Sequence, residues 1–295
     1  MKIQDKMNRN LRDLRISITD RCNFRCRYCM PEELYGEAYK LLKKDEILTF
    51  EEIKKLANIF IGLGVNKIRL TGGEPLVRSG VVNLVNSISK LNKDLDLAMT
   101  TNGYLLEKYA KDLYSSGLKR LSVSLDTLDP SIFKEMSGKN FDVSKVLDGI
   151  KSSISVGFTE IKINAVLKKG TNHESILDLV DYCRDNNLIL RFIEYMDVGT
   201  LNSWNKKYVI GTQEVISVIS SKYKLASVDK NYPSEVADRY KFEDGKGEIG
   251  FISSVTNPFC TSCSRARIST DGRLVTCLFS ESGIDLKTPL RNNES

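Results

Sequence analysis

Leu14-Arg15-Ile16-Ser17-Ile18-Thr19 runs, through Asp20-Arg21, into Cys22-Asn23-Phe24-Arg25-Cys26-Arg27-Tyr28-Cys29. The first stretch is short, apolar and β-branched at alternate positions, the composition of a strand. The cysteines follow at its C-terminal end with the spacing C-x3-C-x2-C. Zinc sites usually take four protein ligands from paired cysteine motifs, and this segment offers three with unequal gaps. Cubane iron–sulfur clusters take one thiolate per iron, so three thiolates leave one iron open to a small molecule. An open metal position marks a reactive centre.

Outward from this segment the pattern repeats. Candidate strands lie at residues 14–19, 67–70, 95–99, 121–125, 160–167 and 189–195, each short and apolar, as strands buried on both faces are. Amphipathic stretches at 49–63, 80–91, 105–116, 143–156 and 174–186 separate them. Such alternation implies a parallel sheet with right-handed crossovers. Six units are too few for a closed eight-stranded barrel, so the expected α/β fold is a partial (β/α)6 barrel over residues 1–200. Unusual residues gather at the strand ends: Thr71-Gly72-Gly73-Glu74-Pro75 after the second, Thr100-Thr101-Asn102-Gly103 after the third, Ser124-Leu125-Asp126 after the fourth and Glu194-Tyr195-Met196 after the sixth. In barrel-like α/β folds that rim is where active sites assemble. Glu74, Asn102, Asp126 and Asn164 point to it as loop-orienting candidates.

Past residue 200 the pattern changes. Residues 240–242 and 248–252 flank Glu243-Asp244-Gly245-Lys246, while 265–270 and 273–278 flank Asp271-Gly272, a two-residue hairpin signal. Residues 201–295 therefore read as a small C-terminal β-rich extension. It carries Cys260, Cys263 and Cys277, spaced C-x2-C-x13-C, again three ligands. Three ligands again leave an iron open, with a structural zinc or a closed cluster with an outside fourth ligand as the lesser alternatives that this spacing allows. A two-residue turn sets Cys277 opposite Ala266, which points Arg265 and Arg267 to the other face. Guanidinium forks suit phosphate oxygens. Arg15, with Lys67 and Arg69 beside the second rim, adds further charge.

Six of the seven cysteines belong to these triplets. The N-terminal Met1-Lys2-Ile3-Gln4-Asp5-Lys6 is polar, so the expectation is a cytoplasmic protein whose cysteines bind metal rather than form disulfides. The seventh, Cys183, falls on the stripe Ile176, Val180, Cys183 of a helix and is assigned to the core. No apolar run is long enough to span a membrane. With 44 basic and 38 acidic residues the net charge is +6, which suits an anionic small molecule and lacks the long basic run of a nucleic-acid binder. A single histidine, His173, leaves little scope for a histidine base or a histidine-rich zinc site.

The first triplet and Gly72-Gly73-Glu74-Pro75 together resemble the radical S-adenosylmethionine (SAM) superfamily. There SAM chelates the open iron, and its reductive cleavage yields a radical that abstracts hydrogen from substrate. More closely, Arg12-Asp13-Leu14-Arg15-Ile16-Ser17, Cys29-Met30-Pro31, Ile68-Arg69-Leu70-Thr71-Gly72-Gly73-Glu74-Pro75, Arg191-Phe192-Ile193-Glu194-Tyr195-Met196 and Cys277-Leu278-Phe279 resemble the GTP 3′,8-cyclase family of molybdenum cofactor biosynthesis, over residues 12–291.

That resemblance implies two 4Fe–4S clusters, one on Cys22, Cys26 and Cys29 and one on Cys260, Cys263 and Cys277. It implies Tyr28, Gly73, Ser124 and Met196 around SAM, and Arg15, Arg69, Thr100, Lys162, Arg265 and Arg267 on GTP. It further implies a homodimer and an electron donor such as flavodoxin or ferredoxin, with no nucleic-acid or membrane partner. Family members usually end in a paired-glycine tail that enters the active site, whereas this sequence ends Arg291-Asn292-Asn293-Glu294-Ser295, which fits a truncated, an incomplete or a naturally short version; the expectation is that GTP binds without the tail, with turnover the property in question. Two other readings differ in testable ways. A peptide-modifying radical SAM enzyme with an auxiliary cluster usually bears more C-terminal cysteines and has no need of Arg265 and Arg267. A noncatalytic zinc- or nucleic-acid-binding module predicts bound zinc, no SAM affinity and salt-sensitive polyanion binding.

Overall fold

The computed structural model describes residues 4–30, 35–36, 39–197, 204–280 and 282–292. Pro31 of the Cys29-Met30-Pro31 motif, the boundary expected at residue 200 and the terminal Asn293-Glu294-Ser295 lie outside the described residues.

The strand–helix alternation is realised as β1 (Asp13–Ser17), α1 (Phe50–Gly62), β2 (Lys67–Thr71), α2 (Val81–Ser89), β3 (Asp96–Thr101), α3 (Leu106–Ser115), β4 (Arg120–Ser124), α4 (Pro130–Ser137), α5 (Val143–Ser155), β5 (Ile161–Leu167), α6 (Ile176–Asp185) and β6 (Ile189–Glu194). Local chemistry explains the boundaries. Thr49 and Glu52 cap α1 reciprocally, side chain to backbone in both directions, and its face of Ile53, Leu56, Ala57 and Phe60 is buried. The short α4 was not anticipated, although its signal is present: Asp129 caps it, Pro130 opens it, and Gly138 ends it in the left-handed region.

The C-terminal segment does more than append. After α7 (Thr212–Ser220) come β7 (Leu225–Val228), β8 (Asp238–Phe242), β9 (Glu248–Ile252), β10 (Arg265–Ile268), β11 (Arg273–Val275), β12 (Ile284–Asp285) and α8 (Lys287–Arg291). All twelve strands form one sheet, ordered β12-β11-β10-β1-β2-β3-β4-β5-β6-β9-β8-β7. β9 pairs parallel to β6, and β10 parallel to β1. The extension thus lengthens the parallel sheet at both edges, and two antiparallel hairpins finish it. The sheet remains open between its ends, a partial barrel as expected.

One expectation fails. The strands are not buried on both faces. Leu14, Ile16, Ile68, Leu70, Leu121, Val123, Ile163 and Phe192 are buried in a core shared with the helices. The alternate residues Arg15, Arg69, Ser122, Lys162, Asn164 and Arg191 lie in register on the other face, which is polar. A lining of charge cannot be sealed in hydrocarbon, so this face bounds a chamber. The sheet must curl to make one: on a flat sheet β2 and β6 would stand about 19 Å apart, yet the Arg69 guanidinium feels the charge of Arg191.

Candidate active site

At the C-terminal ends of the strands, the loop that carries Cys22, Cys26 and Cys29 is built against β2 by main-chain contact. Gly73 N–H donates to Thr19 O (2.7 Å) and Glu74 N–H to Arg21 O (2.8 Å). A Cβ on Gly73 would lie 2.2 Å from Arg21 O and 2.6 Å from its carbonyl carbon. The glycine therefore permits backbone to meet backbone and fixes where the cysteine loop begins. Gly73→Ala is expected to cost about 3 kcal/mol, because neither chain can yield cheaply. Thermal denaturation of the cluster-free protein checks this, with a fall in Tm of roughly 5 °C.

Glu74 completes the junction. Buried and without a cation, it accepts from Leu76 N–H (3.0 Å), Thr101 Oγ1 (2.7 Å) and Asn102 N–H (2.7 Å). Burial raises its pKa to about 7. Asn102 Nδ2 then donates to Asn23 Oδ1 in the cysteine loop (2.8 Å). Within that loop Cys26 O accepts from the N–H groups of Cys29 (2.9 Å) and Met30 (2.8 Å). Tyr28 OH donates to Asp126 Oδ2 (2.8 Å). Ser124 lies in register with Asn164 on the chamber face, and Met196 follows β6 on the same rim, half-buried. Burial, with the charges of neighbouring groups, pushes the Cys22 thiol up to about 11 and raises that of Cys26 well above the ordinary thiol value.

The chamber below is lined with cations. Arg267, Arg15 and Arg69 stand side by side in register across β10, β1 and β2. Among the described residues no carboxylate lies within 4 Å of Arg15, Arg69, Lys162, Arg265 or Arg267. Arg69 NH1 donates to Thr100 Oγ1 (3.0 Å) and Ser122 Oγ (2.9 Å), which aims the guanidinium without neutralising it. Burial, then the charges of Arg69, Arg267 and Arg265, lower Arg15 to about 9. Lys162 falls to about 7 through burial and through Arg191, Arg120 and Lys67. Asn164 Oδ1 is buried without a partner. Such a lining suits an anionic ligand.

The second triplet lies at the opposite end. Because β10 runs parallel to β1, Cys260 and Cys263 sit before its start, beside the N-terminal end of β1. Both Arg12 N–H and Asp13 N–H donate to Ser264 O (3.0 and 3.1 Å). The C-terminal rim thus holds the first triplet, and the second lies at the far end of the strands. A five-residue strand separates the two ends, roughly 17 Å.

Hairpin register corrects a second expectation. Arg267 pairs with Val275 and Ile268 with Leu274, so the loop holds three residues, Thr270-Asp271-Gly272, with Gly272 at φ 86°. The extra residue slips the pairing by one, and a slip by one exchanges faces. Arg267 now shares a face with Val275, two residues before Cys277, and feels the charges of both Cys263 and Cys277. Arg265 donates to Cys263 Sγ through Nε (3.3 Å) and NH2 (3.2 Å). Burial opposes the thiolate of Cys263, but these bonds and the charges of Arg265 and Arg267 prevail and hold its pKa below the ordinary value. Lys67 is corrected as well: it belongs to this lower end, paired with Asp13 (3.5 Å) and with Tyr232 OH (3.3 Å).

Residues 16–183 match the family model of the radical SAM superfamily, and 188–295 match Molybdenum Cofactor Synthesis C. The chain is 48% identical to a GTP 3′,8-cyclase of Acidothermus cellulolyticus over 291 residues, covering 99% of this chain and 80% of that protein. It is 45% identical to a GTP 3′,8-cyclase of Staphylococcus epidermidis, covering 98% and 85% respectively. The chain belongs to the GTP 3′,8-cyclase family. Among solved structures, Streptococcus suis SuiB bound to its precursor peptide SuiA shares the fold, with a TM-score of 0.71 at 19% identity, over 98% of this chain and 66% of that one.

Membership of the GTP 3′,8-cyclase family brings SAM and a 4Fe–4S cluster, with a second cluster. The donor chemistry of the two cysteine triplets suits these groups, although among the described residues no three His, Cys, Asp or Glu side chains are gathered closely enough to hold a metal ion. Both triplets are free thiols, and Cys22, Cys26 and Cys29 lie within electrostatic reach of one another. Cys183 is buried in the core, as its helical stripe predicts.

Four participants were missed or undervalued. Ser122 carries no charge to draw notice, and Arg191 was read as motif only, although alternation along β6 turns it inward. Glu235, buried, pairs with Arg191 (3.3 Å), and the Tyr232 ring lies against Arg12 (4.1 Å). These last two come from the β7–β8 connection, whose path beneath the barrel has no local signal.

Proposed function

We propose that this protein cyclises GTP between ribose C3′ and guanine C8, as the first step of molybdenum cofactor biosynthesis. The observation that carries the reading is the chamber: five cations without carboxylate partners among the described residues, set between two cysteine triplets at opposite strand ends. On this reading Cys22, Cys26 and Cys29 hold the cluster that binds SAM, with Tyr28, Gly73, Ser124 and Met196 around the cofactor. Cys260, Cys263 and Cys277 hold the second cluster, and guanine lies against it. When bound, SAM and the first cluster supply the hydrogen-abstracting radical.

The protein's own residues bind and orient. Arg15, Arg69, Lys162, Arg265 and Arg267 hold the triphosphate by charge-assisted bonds, and Thr100, with Ser122, aims Arg69. Guanine held at one end and triphosphate along the wall present the ribose toward the other end, which is the positioning that an intramolecular bond requires. Residues 201–295 act as the segment that carries the second cluster. An electron carrier such as flavodoxin or ferredoxin supplies electrons to a homodimer in the cytoplasm; no helix among the described residues is long and apolar enough to cross a membrane.

Anaerobic reconstitution with iron and sulfide, followed by SAM, GTP and dithionite, tests the proposal. About eight irons per chain and cyclised GTP are expected; zinc in place of iron, with GTP unchanged, would reject it.

Lys162 adds a pH signature. Burial among like charges holds its pKa at about 7, and a bound phosphate returns it toward the ordinary ammonium value. Binding therefore takes up a proton above pH 7, and affinity falls as pH rises, by at most about tenfold per unit. Calorimetry in buffers of different ionisation enthalpy is expected to show the uptake, and Lys162→Met to abolish it.

A further inference from the structure

Asp126 is a buried carboxylate with no ion-pair partner among the described residues. Each of its oxygens is nevertheless committed. Oδ1 accepts from Val166 N–H (2.8 Å), at the C-terminal end of β5, and Oδ2 accepts from Tyr28 OH (2.8 Å), in the cysteine loop. Its backbone is held as firmly: Asn172 Nδ2, fully buried, donates to Asp126 O (2.8 Å) and Val166 O (2.9 Å), and Asn172 Oδ1 accepts from Lys168 N–H (2.8 Å).

Burying an acid without a cation is costly, and an amide would hold β5 at lower cost. What an amide cannot do is accept at both ends. It has one oxygen and turns an NH2 toward one of the two donors. A carboxylate is the side chain that two converging donors require, and one of those donors stands between Cys26 and Cys29.

We propose that Asp126 is a positioning residue that sets the orientation of the Tyr28 ring from the β4–β5 rim, and through it the shape of the SAM pocket. The inference rests on the reading that Tyr28 borders SAM. Asp126 acts through the Tyr28 hydroxyl. Tyr28→Phe removes that hydroxyl and leaves the Val166 bond in place, so the ring is freed while β5 stays anchored.

The test uses the reconstituted full chain, with equilibrium binding of radiolabelled SAM to the parent, Tyr28→Phe, Asp126→Asn and the double variant. Each single change is expected to weaken SAM binding roughly tenfold, the scale of one hydrogen bond to a charged group. The double variant is expected to be no weaker than the weaker single one, because both remove the same bond. Iron content stays at the parent level, and the spectral change that SAM induces in the reduced cluster's paramagnetic signal shrinks in all three. Single variants that bind SAM like the parent, or single effects that multiply in the double variant, would overturn the proposal. A parent that takes up iron at the first triplet yet binds no SAM would instead overturn the cofactor-pocket reading on which it stands.

Discussion

Replacing Cys26 with serine is expected to remove about half of the iron and to lower turnover by at least about a thousandfold. Its backbone carbonyl holds the turn through Cys29 N–H and Met30 N–H, and serine leaves that carbonyl in place. The change is therefore chemical rather than architectural: a hard hydroxyl replaces a soft thiolate. Iron should fall from about eight to about four per chain, with the second cluster retained. Cys183→Ser is the control. That thiol lies in the core, so the variant is expected to lose about 1–3 kcal/mol of stability through a buried hydroxyl and to keep all its iron. A Cys26→Ser protein that retains full iron would show that the first triplet is not a cluster site.

Replacing Arg267 with alanine is expected to move stability and substrate affinity in opposite directions. Arg267 stands next to Arg15, which stands next to Arg69, and neighbouring like charges on adjacent strands repel. Burial, then Arg265, lowers the Arg267 pKa, the signature of a charge held against its preference. Removing one guanidinium relieves the repulsion and should raise stability by about 0.5–1 kcal/mol. The same loss deprives the triphosphate of a charge-assisted fork, so GTP affinity should fall by about 100-fold. SAM affinity should not change, since the proposed SAM pocket is at the other end of the strands. Melting curves and equilibrium binding of each ligand to one variant separate these effects. Loss of stability with unchanged GTP affinity would mean that Arg267 is a structural residue.

Much of this architecture was legible. The six parallel strands lie within a residue or two of their expected bounds, because a short β-branched run followed by an amphipathic stretch leaves few alternatives. Both cysteine triplets, and the glycines that seat the first, could be read from spacing and context. What escaped was long-range or hinged on a single dihedral. One residue at Gly272, in the left-handed region, decides between a two- and a three-residue loop, and hence on which face Arg267 emerges. The direction of β10 against β1 decides at which end of the chamber the second triplet sits, and no local pattern encodes that pairing. The polar inner face did leave a trace, in charges two apart at Asp13 and Arg15 and at Lys67 and Arg69, which a reading of these strands as wholly buried passed over. Asp126 was legible as a rim residue but not its partner Tyr28, and Glu235 looks like a surface acid until the fold brings Arg191 to it.

The most direct measurement of the central claim uses GTP carrying deuterium at ribose C3′, incubated anaerobically with the reconstituted protein, SAM and dithionite. If the chamber presents the ribose to the cofactor end while guanine rests at the other, deuterium will appear in 5′-deoxyadenosine as cyclised GTP forms. Unlabelled 5′-deoxyadenosine beside intact GTP would contradict the account, because it would mean that the chamber does not hold GTP within reach of the radical.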